Sequence, residues 1–117
     1  MAQAAIRVQD GEAAPAIDRA HLARMTFGDR ALERELLSLF DRQAALLVAR
    51  MGATDAATVR ALAHTLKGSA VGVGAAEVAA AAAALEEEQS PDRLAALARA
   101  VAHARGAVAA MLAQAAD

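Results

Sequence analysis

The chain has 117 residues, the size of one domain, and 38 of them are Ala, the strongest helix former. Tyr, Trp and Cys are absent, which disfavours a β-sandwich, a disulfide scaffold, a Cys-based zinc site and a module that stacks nucleic-acid bases on aromatic rings. A net charge of −2 without a basic stripe argues against a nucleic-acid partner, and neither a membrane-spanning run nor a secretory signal is visible, so we expect a soluble cytoplasmic protein.

The beginning of the chain predicts an arm and then a short helix. Residues 1–16 show no sustained hydrophobic period, which indicates a flexible arm ahead of a folded domain at 17–117. Asp18 is a suitable N-cap for a short helix, and Gly28 is a suitable end for it. The apolar positions of this helix are Leu22 and Met25.

Two longer helices are predicted next. Asp29 caps the first of them and Gly52 ends it, with apolar side chains at helical spacing at Leu32, Leu36, Phe40, Leu47 and Met51. The following helix opens at Thr54 or Asp55, and two glycines, Gly72 and Gly74, loosen it and then end it. Its predicted buried side carries Val59, Leu62, Leu66, Ala70 and Val73.

The last two helices complete the predicted fold. Residues 75–89 form a helix rich in Ala, a composition that allows close approach of neighbouring helices. Ser90 and Pro91 are a strong start signal for the final helix, which repeats apolar residues at a 3-4 spacing up to Ala115. Since the connections are short, we predict an all-α protein: an antiparallel, up-down four-helix bundle with a short additional N-terminal helix.

One of the three histidines has unusual surroundings. At 100° per residue, the buried side of its helix lies about 160° to 240° from His64, so we expect the imidazole to be exposed. Within about 60° of it lie Arg60, Ala61, Lys67, Gly68 and Val71. His21 and His103 have no second His, Asp or Glu at metal-binding spacing, and we interpret both as ordinary surface or half-buried residues.

The residues beside His64 fit a nucleophile that carries a phosphoryl group. Neutral imidazole is a good nucleophile near pH 7, and Lys67, the only lysine of the chain, places an ammonium where an added phosphoryl group would sit. Gly68 costs the helix about 1 kcal/mol relative to Ala, which suggests that clearance for a large partner is needed there. Arg60, Ala61 and Val71 are the candidate docking residues around it.

The segment from Ala63 to Ala75, AHTLKGSAVGVGA, resembles the signature of histidine-containing phosphotransfer (HPt) domains of bacterial multistep phosphorelays. The family pattern is His-x-x-Lys-Gly, a small residue, and an apolar residue with Gly about ten positions after the His. The likeness covers about residues 17–115, although Gly72 stands where the family often has a bulkier residue. It implies a four-helix bundle with His64 as the phosphoryl acceptor, Lys67 as its cationic helper and Gly68 as the gap for the partner.

Glu86 is a further candidate. If the predicted helices before and after residue 75 fold back on each other there, His64 and Glu86 lie at similar height. Members of the family often have an acidic or amide residue here that accepts a hydrogen bond from the imidazole. Such a bond would hold one tautomer and leave the other nitrogen nucleophilic. Glu86 is equally interpretable as one member of the solvated run at 86–88, and the sequence leaves the two alternatives open.

The resemblance also implies partners. We expect response-regulator receiver domains and a hybrid histidine kinase, with no cofactor of the chain's own and Mg²⁺ supplied by the receiver domain. The chain lacks a glycine-rich ATP-binding region, so it should not act as an autonomous kinase, and we expect a monomer. The alternative is a non-catalytic helical adaptor that binds receiver domains or other signalling proteins. A metal- or cofactor-binding bundle is disfavoured because inward-facing Glu and Glu-x-x-His pairs are missing.

Overall fold

A computed structural model describes residues 15–115 of the chain. It contains five helices: α1 (Arg19–Met25), α2 (Arg30–Met51), α3 (Ala56–Val73), α4 (Ala76–Glu87) and α5 (Pro91–Ala115). No strand occurs between residues 15 and 115, so the predicted all-α class is correct. Most of the predicted arm, residues 1–14, lies outside the described residues.

Short polar side chains begin four of the five helices. The carboxylates of Asp18, Asp29 and Asp55 cap α1, α2 and α3, each accepting a hydrogen bond from the backbone N–H three residues further on, at 2.8–3.0 Å. At the start of α5, the hydroxyl of Ser90 accepts in the same way at 3.2 Å. Of the two predicted caps for α3, the structure therefore uses Asp55 rather than Thr54.

Several helix ends differ from the prediction. α1 ends at Met25 instead of Gly28, because the chain has already turned at Phe27 and Gly28, which both have positive φ. Gly72 does not interrupt α3, which continues to Val73 and ends at Gly74 in the left-handed conformation. α4 is shorter than predicted, since it spans Ala76–Glu87 rather than 75–89.

The turn at Gly74 joins α1 to the rest of the molecule. The backbone N–H of Asp18 donates to the Gly74 carbonyl at 2.8 Å, and a Cβ built on Gly74 would lie 3.0 Å from the Asp18 carbonyl oxygen. Glycine is therefore favoured at position 74 for two reasons: its φ is 79°, and the segment before α1 approaches it closely.

The core lies between the four longer helices. α2 contacts α3, α3 contacts α4, α4 contacts α5, and α5 contacts α2, while α1 packs against α3. Small side chains allow the helices to approach closely, and larger ones fill the remaining space. The buried residues include Leu22, Phe40, Ala44, Leu62, Leu66, Ala70, Val78, Ala82, Leu85, Leu97, Val101, Ala104 and Val108.

Two apolar residues assigned to the helix stripes are exposed. Met25 lies at the surface, and Leu32 is 37% exposed although we expected it on the same face of α2 as Phe40. At 100° per residue, Leu32 lies about 80° from Phe40 around the helix, which is enough to turn it away from the core.

Candidate functional site

His64 lies in the middle of α3 with its side chain in solvent. Its exposed fraction is 68%, whereas Leu62, Ala63 and Leu66 of the same helix are buried in the core. Since α3 is held in place by its buried side, the imidazole is presented from a rigid element.

One carboxylate from α4 contacts two of the predicted site residues. Oε2 of Glu86 lies 2.8 Å from Nδ1 of His64, and Oε1 of the same group lies 3.0 Å from Nζ of Lys67. The Lys67 contact is an ion pair rather than a well-directed hydrogen bond. The three residues thus form one connected cluster between α3 and α4.

The contact with Glu86 determines which nitrogen of the neutral ring is reactive. An ionised carboxylate can only accept hydrogen bonds, so the neutral imidazole that faces it must carry its proton on Nδ1. Nε2 then keeps its lone pair. Because the ring is largely exposed, this lone pair is accessible to an electrophile on another molecule.

The charge state of Glu86 supports this arrangement. The pKa of the Glu86 carboxyl is lowered, first by its contact with the Lys67 ammonium and then by that with the His64 ring, against a smaller opposing effect of desolvation. Glu86 is therefore a carboxylate at neutral pH. Lys67 keeps Glu86 charged, and Glu86 in turn holds the Lys67 ammonium beside His64.

Gly68 has no internal packing role. A Cβ built on it would have nothing within 4 Å, and its helical backbone does not require glycine. The same holds for Gly72 one turn further on and for Gly106 in α5. The helix therefore loses stability at Gly68 without a benefit inside the described fold, and the bare surface next to His64 is open to another molecule.

The predicted docking residues surround this open surface. Arg60, Ala61 and Val71 are all exposed, and Val71 is an apolar side chain with 56% of its surface in solvent. Arg60 also lines a shallow depression together with Lys67 and Glu86. The face thus combines an exposed apolar side chain, Val71, with the cationic groups of Arg60 and Lys67 around His64.

The other two histidines have different surroundings. His21 is half-buried near the start of α1. His103 of α5 lies with Nδ1 at 2.9 Å from Oε1 of Glu77 in α4, a contact that the sequence analysis missed. Residues 77 and 103 are nearly equidistant from the connection at 88–90, and this spacing could have revealed the pair. His103 lacks a Lys at the third following position and a Gly at the fourth, so it shares the ring geometry of His64 without its neighbours.

Sequence analysis also missed apolar residues on α2. Leu39 and Leu46 are 54% and 61% exposed, and both lie in the middle of a long helix. Their spacing of seven residues from each other, and of Leu39 from Leu32, was a readable signal of a second apolar line beside the buried one.

Within residues 15–115, the structure contains no group of three or more His, Cys, Asp or Glu side chains that could hold a metal ion. Among the same residues, no helix is long and apolar enough to cross a membrane.

Comparison with known proteins identifies the class. The family model of the Hpt domain matches the chain over residues 30–117, a range that includes His64, Lys67 and Glu86 and covers most of the chain. The chain therefore belongs to the Hpt domain family, whose members act in histidine phosphotransfer within phosphorelays and interact with receiver domains and kinases. No curated protein and no solved structure matches the chain.

Proposed function

We propose that the protein is a phosphorelay intermediate. It accepts a phosphoryl group on His64 from the aspartyl phosphate of one receiver domain and passes it to the aspartate of another. The observation that carries this proposal is the contact of Glu86 with Nδ1 of the exposed His64 ring, which leaves Nε2 free as the nucleophile.

The transfer step follows from this geometry. The Nε2 lone pair attacks the phosphorus of the partner's acyl phosphate, a P–N bond forms, and the bond between phosphorus and the aspartate oxygen breaks. The electron pair of that bond leaves with the partner's carboxylate, whose negative charge Mg²⁺ held by the receiver domain would stabilise. The proton on Nδ1 stays with the ring and its bond to Glu86 favours the positive charge that develops there. The reverse sequence returns the group to a second receiver.

Lys67 and Gly68 have separate roles in this proposal. Lys67 is a compact cation that can turn from Glu86 toward the phosphoryl oxygens once they arrive at His64. Gly68 gives the receiver's active site room to approach Nε2, and Arg60, Ala61 and Val71 form the surface on which the receiver rests. These roles are supported by the open space at Gly68 and by the exposure of its neighbours.

We further propose that α2 to α5 form the antiparallel, up-down bundle of the folded domain at 17–117. The short connections 52–55, 74–75 and 88–90 and the closed ring of helix contacts support this arrangement.

The partners are response-regulator receiver domains and a hybrid histidine kinase in the cytoplasm. The chain brings no cofactor of its own to the reaction.

The test is transfer of label from a phosphorylated receiver domain with Mg²⁺ to the parent chain and to two variants. We expect one acid-labile, base-stable phosphoryl group on the parent, none on His64→Gln, and a normal amount on His103→Gln. His103 is a matched control because its ring also contacts a carboxylate through Nδ1. Label retained on His64→Gln would contradict the assignment. Absence of label on the parent, together with unchanged signalling in cells that carry His64→Gln, would favour the non-catalytic adaptor.

A further inference from the structure

The exposed face of α2 carries a line of leucines that the bundle does not use. Leu32, Leu39 and Leu46 are 37%, 54% and 61% exposed, and the spacing between neighbours is seven residues. The remaining large apolar residues exposed between residues 15 and 115 are Met25 and Phe27, just before α2, and Val71 of α3. Three of these six exposed apolar residues therefore lie on one line of α2, and a contiguous exposed apolar surface marks an interaction site.

The spacing indicates the kind of contact. Residues seven apart drift by only about 20° around a straight helix, so the three leucines form one nearly straight line along α2. Leucine at every seventh position is the pattern of a seam between two paired helices. Leu36 lies beside this line on the core side and is already partly buried, which makes the apolar strip wider than one residue.

Two charged residues flank the line on the solvent side. At 100° per residue, Glu35 and Arg42 lie about 40° and 60° from Leu39, on the side away from Leu36. Both are exposed, and neither forms a salt bridge with another described residue. A partner helix on the leucine line would therefore meet an unpaired acid near one end and an unpaired base near the other.

This pattern is complementary to itself when two copies of α2 run in opposite directions. A two-fold axis at Leu39 places Leu32 level with Leu46 of the partner subunit, and Leu39 level with Leu39 of the partner subunit. The same register places Glu35 within one residue of the level of Arg42 of the partner subunit, and symmetry makes this pair twice. A parallel pair would instead bring identical charges to the same level.

We propose that the protein forms a homodimer through the leucine line of α2 in this antiparallel register, with two Glu35–Arg42 pairs between subunits. The dimer replaces the monomer expected from sequence. None of the residues in the proposed contact forms a hydrogen bond or a salt bridge with His64 or Glu86, so the dimer can be tested separately from phosphotransfer.

Sedimentation equilibrium of the full chain over a wide concentration range tests the proposal without any receiver domain. We expect a monomer–dimer equilibrium that Leu39→Glu abolishes, since it places two like charges at the axis. Val71→Glu is the matched control, an exposed apolar residue off the line, and it should leave the equilibrium unchanged. Circular dichroism establishes that each variant is folded.

Charge reversal tests the register. Glu35→Arg and Arg42→Glu should each weaken dimerisation by about tenfold, because each converts two attractive pairs into repulsive ones, and the double variant should restore it. A parent chain that remains monomeric at millimolar concentration would overturn the proposal. If Leu39→Glu then also slowed transfer from a receiver, the leucine line would belong to the receiver contact instead. Dimerisation that the charge reversals leave unchanged would overturn the antiparallel register.

Discussion

Replacement of Glu86 by Ala tests whether this residue positions the His64 ring or is only one of the three solvated glutamates at 86–88. The change removes the oxygen that lies 2.8 Å from Nδ1 of His64 and the oxygen that lies 3.0 Å from Nζ of Lys67. The ring then loses the group that holds its proton on Nδ1. Water can satisfy either nitrogen of an exposed ring, so the fraction of rings with a free Nε2 lone pair falls.

The size of the effect follows from the exposure of the ring. Loss of a partner that orients a metal-binding histidine typically costs about 10-fold to 100-fold in metal affinity or activity, and we take this range as the scale for His64. The His64 side chain is 68% exposed, so water already competes for its nitrogens, and we expect the low end, about tenfold slower transfer. Glu86→Gln keeps an oxygen that can accept from Nδ1 but lacks the charge, and it should fall between the parent and Glu86→Ala.

Rapid-quench measurement of forward and reverse transfer with one receiver gives the rates, and ¹⁵N NMR of the His64 ring reports the tautomer. Both should change in Glu86→Ala, with a smaller effect on the final equilibrium than on the forward rate. Glu87→Ala is the matched control, because Glu87 is the next residue but its Oε1 lies 3.8 Å from a guanidinium nitrogen of Arg93 instead of near His64. A Glu86→Ala protein with the parent rate and the proton still on Nδ1 would refute this reasoning.

Gly68→Gln should slow transfer severely while it stabilises the fold by up to about 1 kcal/mol, and the control Gly106→Gln should stabilise the fold similarly with normal transfer. Thermal melts and transfer assays compare the two variants, and normal transfer in Gly68→Gln would contradict a role of Gly68 in docking. Lys67→Ala should slow transfer and shift the equilibrium away from phosphohistidine, and Lys67→Arg should restore both in part. The measurement is the distribution of labelled phosphate between this protein and one receiver at equilibrium. An unchanged distribution would exclude a contact of Lys67 with the phosphoryl group. Because the pKa of Glu86 is lowered, its ionic contacts stabilise the fold above the ordinary glutamate pKa, and this stabilisation is lost as the pH falls through the lowered pKa. In Lys67→Ala, a ¹³C NMR titration should show that the pKa of Glu86 has moved upward. An unmoved pKa would contradict Lys67 as the main cause of the shift. Gly74→Ala should destabilise the fold by about 1–3 kcal/mol in a denaturant titration, because it strains a positive φ and crowds the segment before α1; parent stability would contradict that packing.

The features predicted correctly from sequence depend on local rules. The exposure of His64 follows from the angular position of the apolar residues on the same helix, and this needs no knowledge of the neighbouring helices. The caps at Asp18 and Asp29 follow from the chemistry of the first helical turn. Both kinds of inference use residues within a few positions of each other.

The features left open depend on how one helix is rotated against another. Glu86 is one of three consecutive glutamates, so only the rotation of α4 decides which of them faces His64. α4 is almost entirely Ala on several sides, and its few larger residues give a weak hydrophobic pattern from which to read that rotation. The same uncertainty hid the contact between His103 and Glu77.

Leu32 shows a different source of error. It fits the helical spacing of α2, but a stripe that is followed in steps of four drifts around the helix, and a residue two steps away can leave the core. The seven-residue spacing of Leu32, Leu39 and Leu46 indicates a second apolar line on α2, but the structure was needed to show which of the two lines faces the core.

The central claim is that Nε2 of His64 carries the phosphoryl group while Nδ1 stays bonded to Glu86. The most direct measurement is NMR of ¹⁵N-labelled protein after incubation with a phosphorylated receiver domain, in which the coupling between phosphorus and ring nitrogen identifies the modified atom. We expect a single phosphohistidine, at Nε2 of His64. Phosphate at Nδ1 of His64, or on any other residue, would contradict the account.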